Sequence, residues 1–469
     1  MDTGENPAAF IGRQREMTAL RSAYASQQSA FWPIYGRRRV GKSELILHFS
    51  RPYPTLYLLG KKGAPAEQLI REFFELAALV LEEPLLATAP IEGWKKAIEA
   101  VVSRWRRREK LILVFDEFQW LVEKSPELAS VLQELWDRSW QKSGRVFLIL
   151  CGSYVGFMER EVLGEKSPLY GRRTGQILLK PFSYREAAEF HAGLSLAQKA
   201  MTYFICGGIP LYLRYFDPHR SILQNIEQAL LNELAPLYRE PDFLLREELR
   251  EVENYYMILM ALAEGSLPSR EIARRSGVGD RAVFYYLDQL SSLGYVDKHF
   301  PLTSERPKAR DVRYRLLDPL LRFWFHFIYP HTSRIAQAGP SRALSQLIEP
   351  RLDAYFGRCF EGLCREALPH LYEKEQMSAD FRVGSYWHKS VQIDVVGVRE
   401  DGWIDLGECK WGTSASVSAL AEELEGKVRR YHNPRQATIC RRLFLRALKP
   451  QRKSLPSGLR LHALEDLYD

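Results

Sequence analysis

The sequence predicts an α/β protein in which short apolar strands alternate with helices. Apolar runs of strand length occupy residues 31–35, 111–117 and 146–152. The first run leads through a glycine-containing turn into the helical pattern of residues 44–49. A second series of helix and strand patterns begins near residue 345. Short runs that are apolar at nearly every position are typical of strands buried on both faces of a parallel sheet.

The turn after the first strand contains a phosphate-binding loop. Residues Gly36 to Ser43 follow the pattern G-x-x-x-x-G-K-[ST]. The glycines Gly36 and Gly41 let backbone N–H groups turn inward around phosphates. Lys42 reaches the β- and γ-phosphate oxygens, and the Ser43 hydroxyl can bind Mg²⁺. Because the helix that begins here also directs its positive N-terminal end at the anion, the motif predicts a nucleotide site.

The strand of residues 111–117 ends in two adjacent carboxylates, Asp116 and Glu117. We expect Asp116 to hold magnesium through water and Glu117 to orient the water that attacks the γ-phosphate. The strand of residues 146–152 is followed by Ser153, whose hydroxyl can contact the γ-phosphate and report its state. The alternative interpretation is that the two carboxylates are merely solvated at the end of a strand.

Two later segments of the first half carry possible site residues. Arg172 and Arg173 follow Tyr170 and Gly171 in a predicted loop, where an arginine can pair with the γ-phosphate of a neighbouring subunit. A solvated basic loop is the alternative. The run FICGGIPLYL, which contains Pro210, predicts a tight turn at the end of a helix.

Residues 255–317 alternate helical patterns with short glycine-containing turns, which indicates a helix-turn-helix. The last of these helices leaves Arg281 and Tyr285 off its apolar face. Two strand patterns around TSERPKARD then predict a β-hairpin wing. A helix and a basic wing suit duplex DNA, while protein contact is the alternative use of such a fold. The expected DNA-binding residues are Arg281, Arg306, Lys308 and Arg310.

The segment VQIDVVGVREDGWIDLGECKW predicts a β-hairpin that turns at Asp401-Gly402. Antiparallel pairing across this turn can bring Asp394 together with Glu408 and Lys410, since the latter two lie two residues apart on one face. Asp394 and Glu408 would bind Mg²⁺ or Mn²⁺, with the Cys409 carbonyl as a further ligand, and Lys410 would position or help deprotonate the attacking water. The alternative is a hairpin with solvated charges or an inactive nuclease fold.

Composition agrees with a protein that binds polyanions. The chain has 469 residues, a length sufficient for three or four domains. Its net charge of +8 and pI near 9.0 indicate a mildly basic surface. The six cysteines form no C-x-x-C pair, so neither zinc nor a disulfide framework is indicated and a reducing cytoplasm is expected. No signal peptide or run of membrane-spanning length is recognised, so we expect no membrane partner.

The first half resembles the prokaryotic AAA+/STAND-type ATPases related to the origin-recognition protein fold. The resemblance rests on FIGRQREM around Gly12 and Arg13, GRRRVGKS, LILVFDE, CGS and GGIP. It implies that Gly12 and Arg13 pack near the adenine and that Pro210 belongs to a small helical lid. It also implies an arginine finger, for which Arg172 and Arg173 are both available.

The tail from about residue 345 resembles the PD-(D/E)xK nuclease superfamily and the DUF234-type domain that follows such ATPases. The order of helix, strands, helix and strand is the order of that superfamily's core, and the first helix can contribute Glu361. Ile393 stands where the superfamily has proline. Glu361 is also interpretable as a helix-surface carboxylate, and Glu366 competes with it for a ligand role.

The combined reading is an α/β chain made of a P-loop ATPase with a helical lid, a winged helix-turn-helix and a restriction-endonuclease-like domain. We expect the ATPase core at 1–182, the lid at 183–250, the winged helix at 251–330 and the nuclease-like domain at 340–469. The expected function is ATP-dependent DNA binding with metal-dependent cleavage by a homo-oligomer. The alternative is a signalling or scaffold ATPase that keeps the tail only as an interaction fold.

Overall fold

The computed structural model of the protein describes residues 10–305, 311–412, 416–448 and 458–469. The chain forms two compact units, residues 1–181 and 182–469, which are described separately. Within the described ranges, no helix has both the length and the apolar character needed to cross a bilayer.

The first unit is built on a five-stranded parallel sheet in the order β2-β3-β4-β1-β5. Every residue of β3 and β4 is buried, as the apolar runs predict. This strand order brings the carboxyl ends of β1, β3 and β4 side by side, which is where the predicted nucleotide-site residues follow. The strands are β1 Ala30–Tyr35, β2 Thr55–Leu59, β3 Leu111–Asp116, β4 Val146–Gly152 and β5 Ile177–Leu178.

Helices cover the sheet of the first unit. Their apolar sides join a core that includes Phe73, Trp94 and Phe115, whose aromatic rings contact one another. Short 3₁₀ or π segments span Pro84–Thr88, Trp136–Trp140 and Met158–Val162. The helices are α1 Gln14–Ala25, α2 Lys42–Ser50, α3 Ala66–Leu81, α4 Trp94–Arg104, α5 Phe118–Lys124, α6 Leu128–Leu135 and α7 Val155–Phe157.

The second unit begins with helices and a winged helix-turn-helix. Strands β6 Val296–His299 and β7 Arg313–Leu316 pair antiparallel as the predicted wing. Short 3₁₀ or π segments span Glu189–His191, Glu227–Leu231, Trp324–Ile328, Tyr329–His331 and Leu344–Ile348. The helices are α8 Tyr184–Ala188, α9 Leu196–Cys206, α10 Pro210–Arg214, α11 Ile222–Ile226, α12 Glu240–Glu248, α13 Glu253–Ala263, α14 Ser269–Ser276, α15 Ala282–Ser292, α16 Pro319–Phe323, α17 Thr332–Ala338 and α18 Pro340–Ala343.

The second unit also contains a mixed five-stranded sheet in the order β12-β11-β10-β9-β8. The predicted hairpin is present as the antiparallel pair β9 and β10, while β10, β11 and β12 run parallel. Helix α19 packs on β9 and β10, and Leu424 of α20 shares a core with Ile393. The elements are α19 Glu349–Lys374, β8 Phe381–His388, β9 Val391–Arg399, β10 Trp403–Lys410, α20 Val417–Val428, β11 Thr438–Leu445, β12 Leu459–Ala463 and α21 Leu464–Tyr468.

A buried charge network joins this sheet to the end of α19. The Arg442 guanidinium, 1% exposed, donates to Asp405 Oδ1 at 2.6 Å and to both Glu375 carboxylate oxygens at 2.7 Å. It also lies 3.0 Å from His462 Nε2, so this ring nitrogen is the acceptor. Burial, and then the Arg442 charge, lower the pKa of His462 to about 4.

The His462 contact predicts acid sensitivity of the second unit. The pKa of His462 is about 6.5 in the unfolded state and about 4 in the folded state. Between these two pH values the unfolded state binds one more proton than the folded state. The free energy of unfolding should therefore fall as the pH drops from 6.5 to 4. The loss should reach roughly 3 kcal/mol, because each pKa unit corresponds to about 1.4 kcal/mol. Urea unfolding at several pH values measures it.

His462→Gln keeps an acceptor for Arg442 but cannot titrate, so its stability should vary less over the same range. His388→Gln, at an exposed position of the same sheet, is the matched control and should follow the parent protein. An unchanged pH dependence in His462→Gln would contradict this account.

Candidate functional site

The phosphate-binding loop connects β1 to α2 at the carboxyl edge of the first sheet. Gly36 has a φ of +155°, and a Cβ there would stand 2.2 Å from the Leu179 carbonyl oxygen, so only glycine fits. Gly41 has a φ of +91° immediately before α2. The Lys42 amine donates to the Gly36 and Arg37 carbonyls at 2.9 and 3.0 Å, and burial lowers its pKa. Two backbone carbonyls of the loop therefore fix the position of the Lys42 amine.

Arg13 fastens this loop to the neighbouring strand segment. Its guanidinium is 6% exposed and donates to the Val40 carbonyl at 3.2 Å and to the Lys180 carbonyl at 2.7 Å. Gly12 and Arg13 both adopt left-handed backbone conformations, with φ of 68° and 60°. Their expected position near an adenine stays a prediction, whereas the link between Arg13 and the loop is a direct contact.

Asp116 and Ser43 meet where a magnesium ion is expected. The Ser43 hydroxyl donates to Asp116 Oδ2 at 2.7 Å, and the Tyr57 hydroxyl donates to the same oxygen. The other carboxylate oxygen accepts the Glu117 N–H at 2.8 Å. A hydroxyl and a carboxylate are the oxygen ligands that Mg²⁺ prefers, so this pair fits the ion. Sequence reasoning missed Tyr57, since nothing local relates its strand to Asp116.

Glu117 adopts a left-handed conformation, with a φ of 48°, directly after β3. This conformation is uncommon outside glycine, and strained residues of this kind cluster at functional sites. The carboxylate accepts a hydrogen bond from the Ser153 hydroxyl at 2.6 Å and another from the Gln119 amide. Ser153 and Gln119 therefore hold Glu117 at the edge next to the loop. Gln119 was also missed, although it lies only two residues beyond Glu117.

The two neighbouring arginines differ in their surroundings. Arg172 forms hydrogen bonds to both Asp137 carboxylate oxygens, the closest at 2.8 Å, and this contact raises the pKa of Arg172. Arg173 is exposed, and no described residue forms an ion pair with it. Of the two, Arg173 is the guanidinium that remains available to a ligand outside its own unit.

Pro210 begins α10 in the second unit, as the GGIP turn predicts. Helix α9 ends at Cys206, Gly207 follows with a φ of 61°, and α10 starts at Pro210. The contribution of Pro210 to nucleotide binding stays a prediction.

The second unit brings the predicted carboxylates together at the β9–β10 hairpin. Gly407 lies opposite Val395, which makes Asp394 and Glu408 the next cross-strand neighbours, 6% and 9% exposed. Burial and then the Asp394 carboxylate raise the pKa of Glu408, and the same two causes raise that of Glu361 on α19. Glu361, Asp394 and Glu408 are therefore one electrostatic cluster, called the acidic site below.

Glu366, the competing carboxylate, has other partners. It accepts hydrogen bonds from the Tyr203 hydroxyl at 2.9 Å and the Tyr184 N–H at 3.1 Å. Glu361 instead lies 3.8 Å from Arg365, which donates to the Asp394 carbonyl at 2.6 Å. Between the two glutamates, Glu361 is the one associated with the acidic site.

The lysine that contacts the acidic site is Lys427 of α20. Its amine donates to Glu408 Oε1 at 2.6 Å and lies 3.1 Å from Glu423. Lys410 is exposed, and no described residue forms an ion pair with it, so its predicted role stays a prediction. Sequence reasoning recognised the helix of α20 but named no residue in it, because the contact with Glu408 spans 19 positions.

The acidic site has the features of a place for a divalent cation. Among the described residues no donor binds the buried Glu408 Oε2, and Asp394 Oδ2 accepts the Cys409 N–H at 3.1 Å. The Glu408 and Asp394 carboxyl groups themselves lie within hydrogen-bond distance of each other. A cation between the two carboxylates would relieve their repulsion. Within the same described ranges no three His, Cys, Asp or Glu side chains converge on one point, so further ligands would come from backbone carbonyls or water.

The winged helix presents part of its predicted DNA-binding set. Val283, Leu287 and Leu290 of α15 are buried, whereas Arg281 and Tyr285 are exposed, as the helical pattern predicts. Phe284 is a further exposed ring on this helix. The wing residues Arg306, Lys308 and Arg310 lie outside the described residues.

Two family models match the chain. Residues 10–216 match an "ATPase domain predominantly from Archaea", and residues 324–449 match "Archaea bacterial proteins of unknown function", the DUF234 family. The matches lie on the two halves in which the sequence resembled these families.

Three individual proteins are similar to this chain. An uncharacterized protein of Methanocaldococcus jannaschii is 28% identical over 411 residues, covering 86% of this chain and 87% of the relative. A Walker-type ATPase of Pyrococcus abyssi is 20% identical, covers 67% of this chain and 96% of its own, and superposes with a TM-score of 0.51, which shows a shared fold. The Aeropyrum pernix ORC2 protein is 17% identical over 72% of this chain and 97% of its own, with a TM-score of 0.45.

Proposed function

From a chain that joins an archaeal-type ATPase domain to a DUF234 domain, we propose an ATP-dependent DNA-binding protein that cuts DNA in a metal-dependent reaction. The observation that carries the cutting activity is the buried acidic site, in which no described donor binds Glu408 Oε2 and the Glu408 and Asp394 carboxyl groups lie within hydrogen-bond distance. Buried polar atoms are nearly always paired, so an orphaned carboxylate oxygen supports a cation ligand.

In the ATPase half, the loop N–H groups and Lys42 would hold the β- and γ-phosphates. Ser43 and Asp116 would hold Mg²⁺, which neutralises charge on the phosphate oxygens. Glu117, held by Ser153 and Gln119, would orient the attacking water and accept its proton. When the γ-phosphate leaves, the Ser153 hydroxyl would lose one of its partners. Because this hydroxyl also donates to Glu117, the loss would be transmitted to the Glu117 carboxylate.

Assembly of several copies would complete the ATPase site. Arg172 is engaged by Asp137 of its own unit, so we assign the arginine finger to the exposed Arg173. An arginine supplied by a neighbouring subunit stabilises transition-state charge only when copies meet, which would couple hydrolysis to oligomer formation.

In the nuclease half, Asp394 and Glu408 would hold Mg²⁺ or Mn²⁺, which activates water and stabilises charge on the scissile phosphate. Lys427 would balance the charge of Glu408 and fix its orientation through the 2.6 Å contact. Glu361, whose pKa is raised, would take or give a proton beside this pair. Lys410 remains the residue expected to position the attacking water.

The winged helix would supply duplex contacts. Arg281 at the start of α15 would neutralise a backbone phosphate, and the exposed Tyr285 and Phe284 would pack on the sugar or on base edges. The wing residues Arg306, Lys308 and Arg310 would add phosphate contacts, so binding should weaken steeply with salt.

A second candidate function is a signalling or scaffold ATPase whose tail binds a protein. The ion pair between Lys427 and Glu408 favours it, because an ammonium already neutralises one of the two cation ligands. ATP would then change the size of the assembly without any cleavage.

Cleavage assays distinguish the two functions. The full-length protein is incubated with linear, nicked, branched and single-stranded DNA in Mg²⁺ or Mn²⁺, with and without ATP. We expect cleavage of at least one substrate, its loss in EDTA, and a change in its rate with ATP. Intact DNA in both metals, together with ATP-dependent growth of the assembly, would overturn the nuclease proposal and support the scaffold.

A further inference from the structure

A cavity of about 520 Å³ lies in the second unit, between the wing strand β7, helices α16 and α19, and strands β8 and β9. A second cavity of about 530 Å³ shares part of its wall, including His299, Arg315 and Arg365. Each has the size of a small-ligand pocket, and the two adjoin along this shared wall. We call the two adjoining cavities the arginine groove.

The arginine groove carries an excess of positive charge. Five arginines line the first cavity, against three glutamates. Burial raises the pKa of two of these glutamates, Glu361 and Glu366, which weakens their negative charge further. The second cavity adds Lys298 and Arg382 against Glu305. The five arginines are Arg313, Arg315, Arg322, Arg358 and Arg365.

Two of the arginines form no ion pair in the described ranges, although the charge of Asp318 acts on Arg322 at longer range. Within the described residues, neither Arg313 nor Arg322 forms an ion pair with a carboxylate. Arg322 lies against the Tyr355 ring, with Nε 3.5 Å from the hydroxyl, and Arg313 stacks 4.8 Å from the Trp387 ring centroid. Inward-facing guanidinium groups are costly without a counter-ion, so their arrangement suits an incoming anion.

The wall shared by the two cavities also contains buried polar atoms without a partner. His299 Nδ1 and Arg315 Nε are buried without a hydrogen-bond partner. Burial, followed by the charges of Arg315 and Arg365, lowers the pKa of His299 to about 4, which is a separate sign of positive potential at this wall. An acceptor oxygen of a ligand would satisfy the Arg315 Nε–H, whereas the neutral His299 ring would take a donor at Nδ1.

Aromatic rings lie beside the charges. The His299 and Trp387 ring centroids are 4.8 Å apart, and Arg313 covers the same Trp387 ring. A positive groove with aromatic and guanidinium surfaces is the combination that binds single strands, whose bases stack while the phosphates follow the charge. Cavities of this size cannot admit a duplex. Glu361 lines the groove and belongs to the acidic site, so the groove borders one of the three carboxylates of that site.

We propose that the arginine groove binds a single nucleic-acid strand and delivers it to the acidic site. This inference rests on the proposed nuclease and specifies its substrate as a single-stranded end, flap or loop. The winged helix would hold the adjoining duplex. Phosphates would meet Arg313 and Arg322, and bases would stack near Trp387.

The test is a binding measurement in EDTA, which separates it from cleavage. The full-length protein is titrated with a labelled strand of about 12 nucleotides, within the site size of such grooves, and with a blunt duplex of equal length. Arg313→Gln/Arg322→Gln should weaken single-strand binding by at least about tenfold and reduce the slope of log K against log salt by about 1.4, since each contact contributes about 0.7. Duplex affinity should stay within about twofold.

Arg429→Gln is the matched control, because Arg429 directly follows α20, has a side chain that is 77% exposed and lines neither cavity. The groove proposal would be overturned if the double variant kept its single-strand affinity, or if it lost duplex affinity to the same extent. If the variant unfolds, the parent protein is photo-crosslinked to a bromouracil strand, where crosslinks near Trp387 support the proposal and crosslinks elsewhere contradict it. Strand binding by a protein that cleaves nothing would retain the groove and reject the nuclease.

Discussion

Replacing Lys42 with alanine should lower the rate of ATP hydrolysis by about 10²-fold or more, since losing one preorganised donor to developing charge has effects of this size. Lys42 is the ammonium held over the phosphate loop by the Gly36 and Arg37 carbonyls, and it begins the helix whose positive end faces the same position. Steady-state phosphate release measures the hydrolysis rate, and binding of a fluorescent ATP analogue measures the nucleotide affinity.

Lys61→Ala is the control for this variant. Lys61 is an exposed lysine of the same unit, and its amine pairs with Glu72 at 2.7 Å. The Lys61→Ala variant should hydrolyse ATP at the rate of the parent protein. Normal hydrolysis by Lys42→Ala, in a protein whose thermal melting is unchanged, would contradict the nucleotide-site assignment.

Replacing Asp394 with asparagine should lower metal-dependent DNA cleavage by about 10²- to 10³-fold, in the range found when a key electrostatic group is removed. The substitution keeps an oxygen for the Cys409 N–H but removes the negative charge that faces Glu408. The folded domain should remain stable because a repulsion between buried carboxylates is relieved. Cleavage rates and the rise in melting temperature on adding Mn²⁺ should both be lost.

Asp401→Asn is the matched control, since Asp401 is an exposed aspartate of the same hairpin turn whose partner is Arg399. Its cleavage and metal response should equal those of the parent. Comparing Lys427→Ala with Lys410→Ala then shows whether the buried or the exposed lysine serves the reaction. Full activity in Asp394→Asn would remove the acidic site from the mechanism.

Several parts of the fold follow directly from local sequence. The phosphate loop is specified within eight positions, because glycine alone tolerates the conformations at Gly36 and Gly41 and the lysine follows at a fixed spacing. The buried strands β3 and β4 were predicted from their uninterrupted apolar runs. The hairpin that pairs Asp394 with Glu408 was predicted from alternation and its Asp-Gly turn.

Other contacts could not be read from the sequence. Tyr57 reaches Asp116 across two adjacent strands that are far apart in the chain, and Lys427 reaches Glu408 from a helix. Arg172 and Arg173 are adjacent and identical in residue type, so the sequence does not distinguish them. In the structure only Arg172 forms a hydrogen bond to Asp137. Each of these contacts depends on how whole elements pack, which no local pattern records.

The sequence by itself determined the phosphate loop and the β9–β10 hairpin, because loop geometry, strand periodicity and turn type act over a few neighbouring residues. Tertiary structure alone decided which side chains surround those sites: the lysine on Glu408, the hydroxyls on Asp116 and Glu117, and the arginine groove beside Glu361. The physical reason is that burial and charge belong to the assembled environment, in which residues distant in the chain share one small volume.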